Sequence, residues 1–343
     1  MGLAKTMLGV GLVALPRSFL LLGALPASLA FLALAALCHL SCSVLAAAAA
    51  AAARSGLPAQ RLSYSGVLAA QLGPWAAITL DLATVLNCLG MMTAYLIASG
   101  DALVSDEWRA AGAPAWLAAL LRSRPAVLAL LSLAVLAPLL SFRCQVSFYT
   151  VVRELGPPAT ARRMRRASAG AVAVTLVTTL VLAMGSALVF GGSIGPNVLS
   201  CFKIAALREL LPGHDRLALV LALTVRLAYL LSLLAAFPLQ AGTCLTLQEH
   251  LEAPPPQGWR FYALTYSTLV AVSAAAIAVP SIWEPLRLVG ATAGAAIAFI
   301  LPGALALSLA GWRLCSGGGA GGMLLIAVGL LLVVTGIAGT VVH

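Results

Sequence analysis

The sequence predicts an all-α membrane protein, a polytopic bundle of transmembrane helices, and three observations support this fold class. Of the 343 residues, 62% are hydrophobic and only 9% are charged, whereas a soluble domain carries about a quarter charged residues. The mean hydropathy is +1.05. The apolar residues form runs of about 20, the length of helix that crosses a bilayer. We expect a single transmembrane domain over residues 1–343.

Nine apolar runs predict nine transmembrane helices joined by short links. Residues 54–73 predict a surface turn or a short interfacial helix between the second and third runs. The nine predicted spans lie near residues 2–22, 25–52, 74–102, 125–142, 168–190, 216–247, 260–280, 285–312 and 320–342.

The basic link at residues 143–167 predicts the orientation of the chain. It carries six arginines, and basic residues beside spans favour the cytoplasmic side. The N-terminus is then cytoplasmic and the end of the ninth span lies outside. The net charge of +10 also favours contact with the anionic headgroups of the bilayer. No basic face exists outside the spans, so no nucleic-acid partner is predicted.

Catalytic and metal-binding motifs are absent from the sequence. The seven cysteines are scattered singly, with no CxxC pair and no cluster with zinc-ligand spacing. There is also no GxSxG, HExxH or P-loop motif. We therefore predict no enzyme activity, no metal and no cofactor.

Four ionisable residues fall within predicted spans, where such groups are expensive and usually functional. They are Lys5, His39, Asp81 and Arg226. Asp81 and Arg226 either form an ion pair between helices or each face the headgroups or a solvated cavity. His39 is either a hydrogen-bonded packing residue or part of a proton relay.

The stretch KTMLGVGLVALP, Lys5 to Pro16, predicts an interruption in the first helix. Gly9 and Gly11 each lower helix stability by roughly 1 kcal/mol relative to alanine, and Pro16 removes a backbone hydrogen bond. Unwound backbone in lipid is tolerated only where it lines a protein cavity, as in the broken helices of transporters. The alternative is that the small residues allow a neighbouring helix to approach closely.

Five segments, in order along the chain, resemble the amino acid/auxin permease family, which includes the system A/N-like and vacuolar amino acid carriers. The longest matches are to the first, seventh and tenth spans of that family. The segments are GLAKTMLGVGLVALPRSF (2–19), YLIASGDAL (95–103), LAPLLSF (136–142), RRMRRASAGAVAVTLVTTLVLAMGSALVFGG (162–192) and LVGATAGAAIAFILPGAL (288–305).

The resemblance implies a fold, an activity and a site. The fold is the LeuT-like inverted repeat with eleven spans. The activity is transport of amino acids, driven by sodium or protons, with no prosthetic group. Carried over to this chain, a broken first helix would bind the substrate through the backbone of Thr6, Gly9, Val10 and Gly11. On the third span, Asn87 or Tyr95 would face the same site.

Two departures from the family pattern argue against sodium coupling. Sodium-coupled relatives often have an asparagine where this chain has Lys5, and a Ser or Thr where it has Ala236. A fixed ammonium at Lys5 would stand in for the cation, or titrate if it is desolvated. We therefore expect transport that is either coupled to protons or independent of sodium. The other interpretation of Lys5 is that it lies at the cytoplasmic headgroups.

The largest departure is the number of spans. About twenty residues separate the segments that resemble the family's fourth and seventh spans, so the resemblance implies that its fifth and sixth spans are missing here. The sixth span carries the second half of the substrate site. The second candidate function is therefore that of a truncated, non-transporting isoform or an assembly partner. Neither a vacuolar or lysosomal membrane nor the plasma membrane is singled out by the sequence.

Overall fold

The computed structural model describes residues 11–58, 62–104, 114–141, 161–191, 202, 207–208, 212–246, 259–314 and 316–341. Within these ranges the regular structure is helical. The helices are α1 (Gly11–Leu22), α2 (Ala24–Arg54), α3 (Tyr64–Leu72), α4 (Pro74–Leu103), α5 (Ala115–Leu120), α6 (Arg124–Leu130, a π-helical turn Leu131–Leu136, then Ala137–Ser141), α7 (Ala161–Phe190), α8 (Asp215–Thr246), α9 (Trp259–Ala278), α10 (Trp283–Leu309) and α11 (Gly317–Val341).

Seven of these helices are long and apolar enough to cross a membrane: α2, α4, α7, α8, α9, α10 and α11. They confirm seven of the nine predicted spans. Of the other two, the fourth corresponds to the shorter apolar helix α6, and α1 covers the described part of the first. The largest boundary difference is at α7, which begins at Ala161 rather than at residue 168. The last residues of the basic link therefore form its first turns.

Two glycines turn the chain between helices without a loop. Gly23 has φ +84° and separates α1 from α2, and Gly73 has φ +95° and separates α3 from α4. These angles lie in the region that only glycine adopts readily. Pro74 then begins α4, where its missing N–H costs nothing. The short helix expected in residues 54–73 is α3, and its N-cap Ser63 accepts a hydrogen bond from the Gly66 N–H at 3.1 Å.

The buried core falls into separate clusters that divide the bundle. One cluster joins α4, α6, α8 and α9, and its largest fully buried side chains include Phe237 and Met92. A second cluster joins α1, α2 and α7 through Phe19, Ala27 and Ala183, with Phe19 stacked on Phe31 at 5.6 Å. A third cluster joins α2, α3 and the start of α4 to α10.

Two exposed tryptophans, Trp75 and Trp312, lie at the same end of the bundle. Gly90 in α4 lies against Val289 in α10, and Leu80 packs with Leu305, so these helices run antiparallel. The end of α10 therefore lies beside the start of α4, and Trp312 and Trp75, both more than half exposed, are at the same end. Tryptophan is enriched where spans leave the bilayer. This end is the one that the arginine distribution predicts to be cytoplasmic.

Candidate functional site

The residues expected to bind substrate on the first span lie at the edge of the described part of the chain. Lys5, Thr6, Gly9 and Val10 are outside the described residues, and Gly11 is the first residue of α1. From Gly11 the helix is continuous to Leu22, with Pro16 in its interior. Pro16 therefore does not interrupt the described part of this helix, and the break expected around Gly9 lies outside the described residues.

The residues expected on the third span share one face of α4. Asn87 and Tyr95 are eight residues apart, with Met91 midway between them, so all three follow one row of the helix. Asn87 is half-buried, while Tyr95 is buried at 8% exposure in the cluster that joins α4 to α8. Tyr95 lies beside Tyr229 of α8. The described part of α1 packs on α2 and α7, and a shared site for Gly11, Asn87 and Tyr95 stays a prediction.

A small cavity lies within the cluster that joins α4, α6, α8 and α9. Its volume is about 10 Å³, which is room for one water molecule and not for an amino acid. Among its lining residues, Thr265 is 4% exposed, and its hydroxyl has no hydrogen-bond partner within the described ranges. The other lining residues are Met92, Leu140, Phe237, Ala241, Thr268 and Leu269.

An ion pair between Asp81 and Arg226 was one expectation, and the structure shows that it does not form. Helices α4 and α8 are antiparallel neighbours: Tyr95 lies beside Tyr229, and Cys88 lies beside Cys244. Both charged residues are buried, at 8% and 5% exposure. Asp81 is the eighth residue of α4 (Pro74–Leu103), and Arg226 is the twelfth residue of α8 (Asp215–Thr246). At 1.5 Å per residue they are more than about 20 Å apart along the helix axes.

Arg124 joins three helix ends on the side predicted to face outside. It is the first residue of α6, and its Nε lies 3.6 Å from Asp101 Oδ1 in the last turn of α4. Its Nη2 donates to the Val279 carbonyl, which follows α9, at 3.0 Å. A guanidinium serves both because it carries donors in a rigid fork. No feature of the sequence other than its position at a predicted span end indicated this role.

His39 lies in α2 one turn from Ser43, on the same face of the helix. The Nδ1 of His39 and the hydroxyl of Ser43 are buried, and neither has a hydrogen-bond partner among the described residues. The packing interpretation of His39 expects a hydrogen bond, and the described residues do not supply one to its Nδ1. The proton-relay interpretation remains a prediction.

The architecture defines the class of this molecule: a polytopic membrane protein built from long apolar helices. Comparison with known proteins gives the family. The sequence profile of the family described as "Transmembrane amino acid transporter protein" matches residues 1–106 and 128–342. This match covers most of the chain, and the protein therefore belongs to the transmembrane amino acid transporter family.

Two curated proteins of Arabidopsis thaliana are similar to this chain. "Amino acid transporter AVT6D" is 23% identical over 384 aligned positions, which cover 89% of this chain and 83% of the relative. "Amino acid transporter AVT6C" is 25% identical over 377 positions, with the same coverage of both chains. No solved structure matches this chain.

Proposed function

We propose that this protein is a secondary active transporter of neutral amino acids, either proton-coupled or independent of sodium. The observation that carries the proposal is the family match over residues 1–106 and 128–342. It includes the glycine-containing first segment and the third span. The names of both relatives also contain the words "amino acid transporter".

The substrate site would lie at the first helix. Backbone amides and carbonyls around Thr6, Gly9, Val10 and Gly11 would bind the carboxylate and ammonium groups that every amino acid carries. A neutral side chain needs no charged partner in the site. On α4, Asn87 is half-buried and supplies both an amide donor and an acceptor. Tyr95 would delimit the site from the same row.

Alternating access would follow from the division of the core. Helices α1, α2 and α7 share one buried cluster, and α4, α6, α8 and α9 share another. The third cluster, at the junction of α2, α3, α4 and α10, connects the two. Two bodies that are each packed internally can move relative to one another, because packed cores resist continuous deformation. The first helix belongs to one body and Tyr95 to the other. Relative motion would open the site between them to one side of the membrane at a time.

Two residues support a coupling ion other than sodium. Ala236 of α8 is half-buried beside Phe237, and its methyl group offers no oxygen, the ligand that hard cations require. Lys5 would place an ammonium near the first glycine of the site, where it would titrate if it is desolvated. Both features favour protons, or no coupling ion, over sodium.

The decisive experiment is uptake of radiolabelled neutral amino acids into proteoliposomes that contain the purified protein. Gly11→Leu should abolish uptake, because the side chain would fill the space where backbone meets substrate. Gly185→Leu is the matched control: Gly185 lies within α7, and no atom of the described part of the chain is within 4 Å of a Cβ added there. It should retain uptake. Equal uptake by the Gly11→Leu variant and the native protein would contradict this placement of the site.

A second candidate function is that of a non-transporting isoform or an assembly partner. The observation that favours it is the alignment with the first relative, whose 384 positions exceed the 343 residues of this chain. The relative therefore has positions with no counterpart here, as expected if two spans are missing. Sequencing the native transcript across the codons for residues 142–166 tests this. A longer product encoding two more apolar runs would favour transport, and one of the present length would favour the second candidate.

A further inference from the structure

Pro302 lies inside the long helix α10 and removes one backbone donor from it. Just before Pro302 the helix is π-helical over Ala296–Ile300, and the Leu301 N–H bonds to the Ala296 carbonyl five residues back. An N–H at position 302 would bond to Ile297 in this π register, or to Ala298 in the α register. Because proline has no N–H, position 302 supplies neither bond.

Both of these carbonyls accept hydrogen bonds from side chains on other helices. The Tyr64 hydroxyl, at the start of α3, donates to the Ile297 carbonyl at 3.0 Å. The Ser41 hydroxyl of α2 donates to the Ala298 carbonyl at 2.6 Å. Ser41 is 5% exposed. The two hydroxyls come from separate helices, yet they reach the two adjacent carbonyls that Pro302 affects.

We propose that Ser41 and Tyr64 form a hydroxyl clamp that replaces the backbone hydrogen bond removed by Pro302, and that the clamp fixes α10 against α2 and α3. A buried backbone carbonyl must find a donor, and without water only protein groups can supply one. The clamp therefore explains why a proline is tolerated within a spanning helix. It also gives α10 a defined position, because each hydroxyl reaches only a carbonyl that lies opposite it.

A third hydrogen bond extends the same contact. The Ser308 hydroxyl of α10 donates to the Gln71 carbonyl near the end of α3 at 3.3 Å. Ser308 follows Pro302 by nearly two turns, so its bond does not serve a carbonyl that the proline affects. It provides an internal comparison, because it also joins α3 to α10 but is not part of the clamp.

A double-mutant cycle with Pro302→Ala tests the clamp. The combined variant Ser41→Ala/Tyr64→Phe should lower the apparent melting temperature of the purified protein by about 2–4 °C for each lost hydrogen bond. In the Pro302→Ala background a backbone N–H is present, and it serves one of the two carbonyls. The combined loss should then fall to about half. An equal loss in both backgrounds would overturn the proposal.

Matched controls separate the clamp from ordinary hydroxyl removal. Ser28→Ala, also on α2, removes an exposed hydroxyl that bonds within its own helix to Ala24 at 2.7 Å. Tyr262→Phe removes the hydroxyl of a tyrosine that is 40% exposed. Ser308→Ala removes the comparison bond. Each should give the same shift in melting temperature with and without Pro302→Ala, since none of these hydroxyls serves an affected carbonyl.

Hydrogen exchange gives a second measurement that needs no change at Pro302. The clamp variant should increase amide exchange in α10 between residues 290 and 309 and leave α9 unchanged. Unaltered exchange in α10 would overturn the proposal even if Pro302→Ala does not fold. The inference goes beyond the proposed transport function, and neither measurement requires transport. Its failure is therefore distinguishable from the failure of that function.

Discussion

Gly336→Ala should destabilise the protein, because the last described helix leaves no room for a methyl group there. A Cβ added at Gly336 would lie 2.0 Å from the Ala291 Cβ of α10, whereas two carbons at rest are about 3.5–4.0 Å apart. The helices would have to separate by roughly 1.5–2 Å. Ala291 has no side-chain torsion with which to avoid the contact.

The expected loss of stability depends on how many contacts between α10 and α11 the separation would disturb. Gly322, Gly329 and Gly336 are spaced seven residues apart on α11, and an added Cβ at any of them would come within 2.7 Å of an atom of α10. A shift at one position therefore loosens the contact at the others. Overpacking of this kind costs about 1–3 kcal/mol, and we expect a loss in that range for Gly336→Ala. The assay is thermal or denaturant unfolding of the purified protein in detergent.

Two further variants, a control and a rescue, test whether the loss of stability comes from the contact between Gly336 and Ala291. Gly321→Ala is the control, because the nearest atoms to its added Cβ are those of Leu40 at 3.8 Å. It should leave stability unchanged or raise it by up to about 1 kcal/mol, since alanine favours helix over glycine. Ala291→Gly should rescue Gly336→Ala by moving the methyl group to the other helix. Native stability in Gly336→Ala, or no rescue by Ala291→Gly, would refute the reasoning.

Three other predictions concern charge and protonation. Asp101→Asn and Arg124→Gln should show a coupling energy of about 0.5–1 kcal/mol in a double-mutant cycle at low salt. This coupling energy should decrease in 1 M salt, because both side chains are partly exposed. A coupling energy that does not change with salt would contradict the prediction. Burial raises the pKa of the Tyr64 hydroxyl in the folded protein, so its stabilising effect should be constant below about pH 10, the ordinary pKa, and decline above it. Unfolding of the native protein and of Tyr64→Phe across pH 6 to 11 would measure this, and a decline already below pH 9 would disprove it. Lys5→Asn should alter the pH dependence of uptake in proteoliposomes. If the pH dependence is identical to that of the native protein, the alternative interpretation, that Lys5 lies at the cytoplasmic headgroups, is favoured.

The positions of the spans could be predicted from the sequence because hydropathy alone determines them. The predicted run at residues 74–102 became Pro74–Leu103, and that at 216–247 became Asp215–Thr246. A helix in lipid must satisfy its own backbone hydrogen bonds, so a long apolar run has little choice of structure. The start of α7 was predicted seven residues too late, because arginines were assigned to a link although they are good helix formers.

The register of neighbouring helices and the contacts between them could not be predicted from hydropathy. Asp81 and Arg226 are opposite charges in neighbouring helices, but the sequence does not reveal the register that places them at opposite ends. The contacts of Ser41 and Tyr64 with α10 span more than 230 residues of chain, which no local pattern encodes. One signal was present: a proline inside an apolar run leaves a carbonyl without a donor. The sequence shows that need but not which side chain meets it.

The close fit between α10 and α11 bears on how the protein is made. The two helices are joined by a short turn through Gly311, which has φ +60°, and the glycine face of α11 fits against α10 along its length. During synthesis α10 leaves the ribosome first, so the surface that receives α11 already exists when that helix enters the membrane. The two can therefore associate as a hairpin during insertion, as independently stable membrane helices do. Substitutions such as Gly322→Val would then lower the yield of membrane-inserted protein, in addition to any effect on the stability of the folded protein.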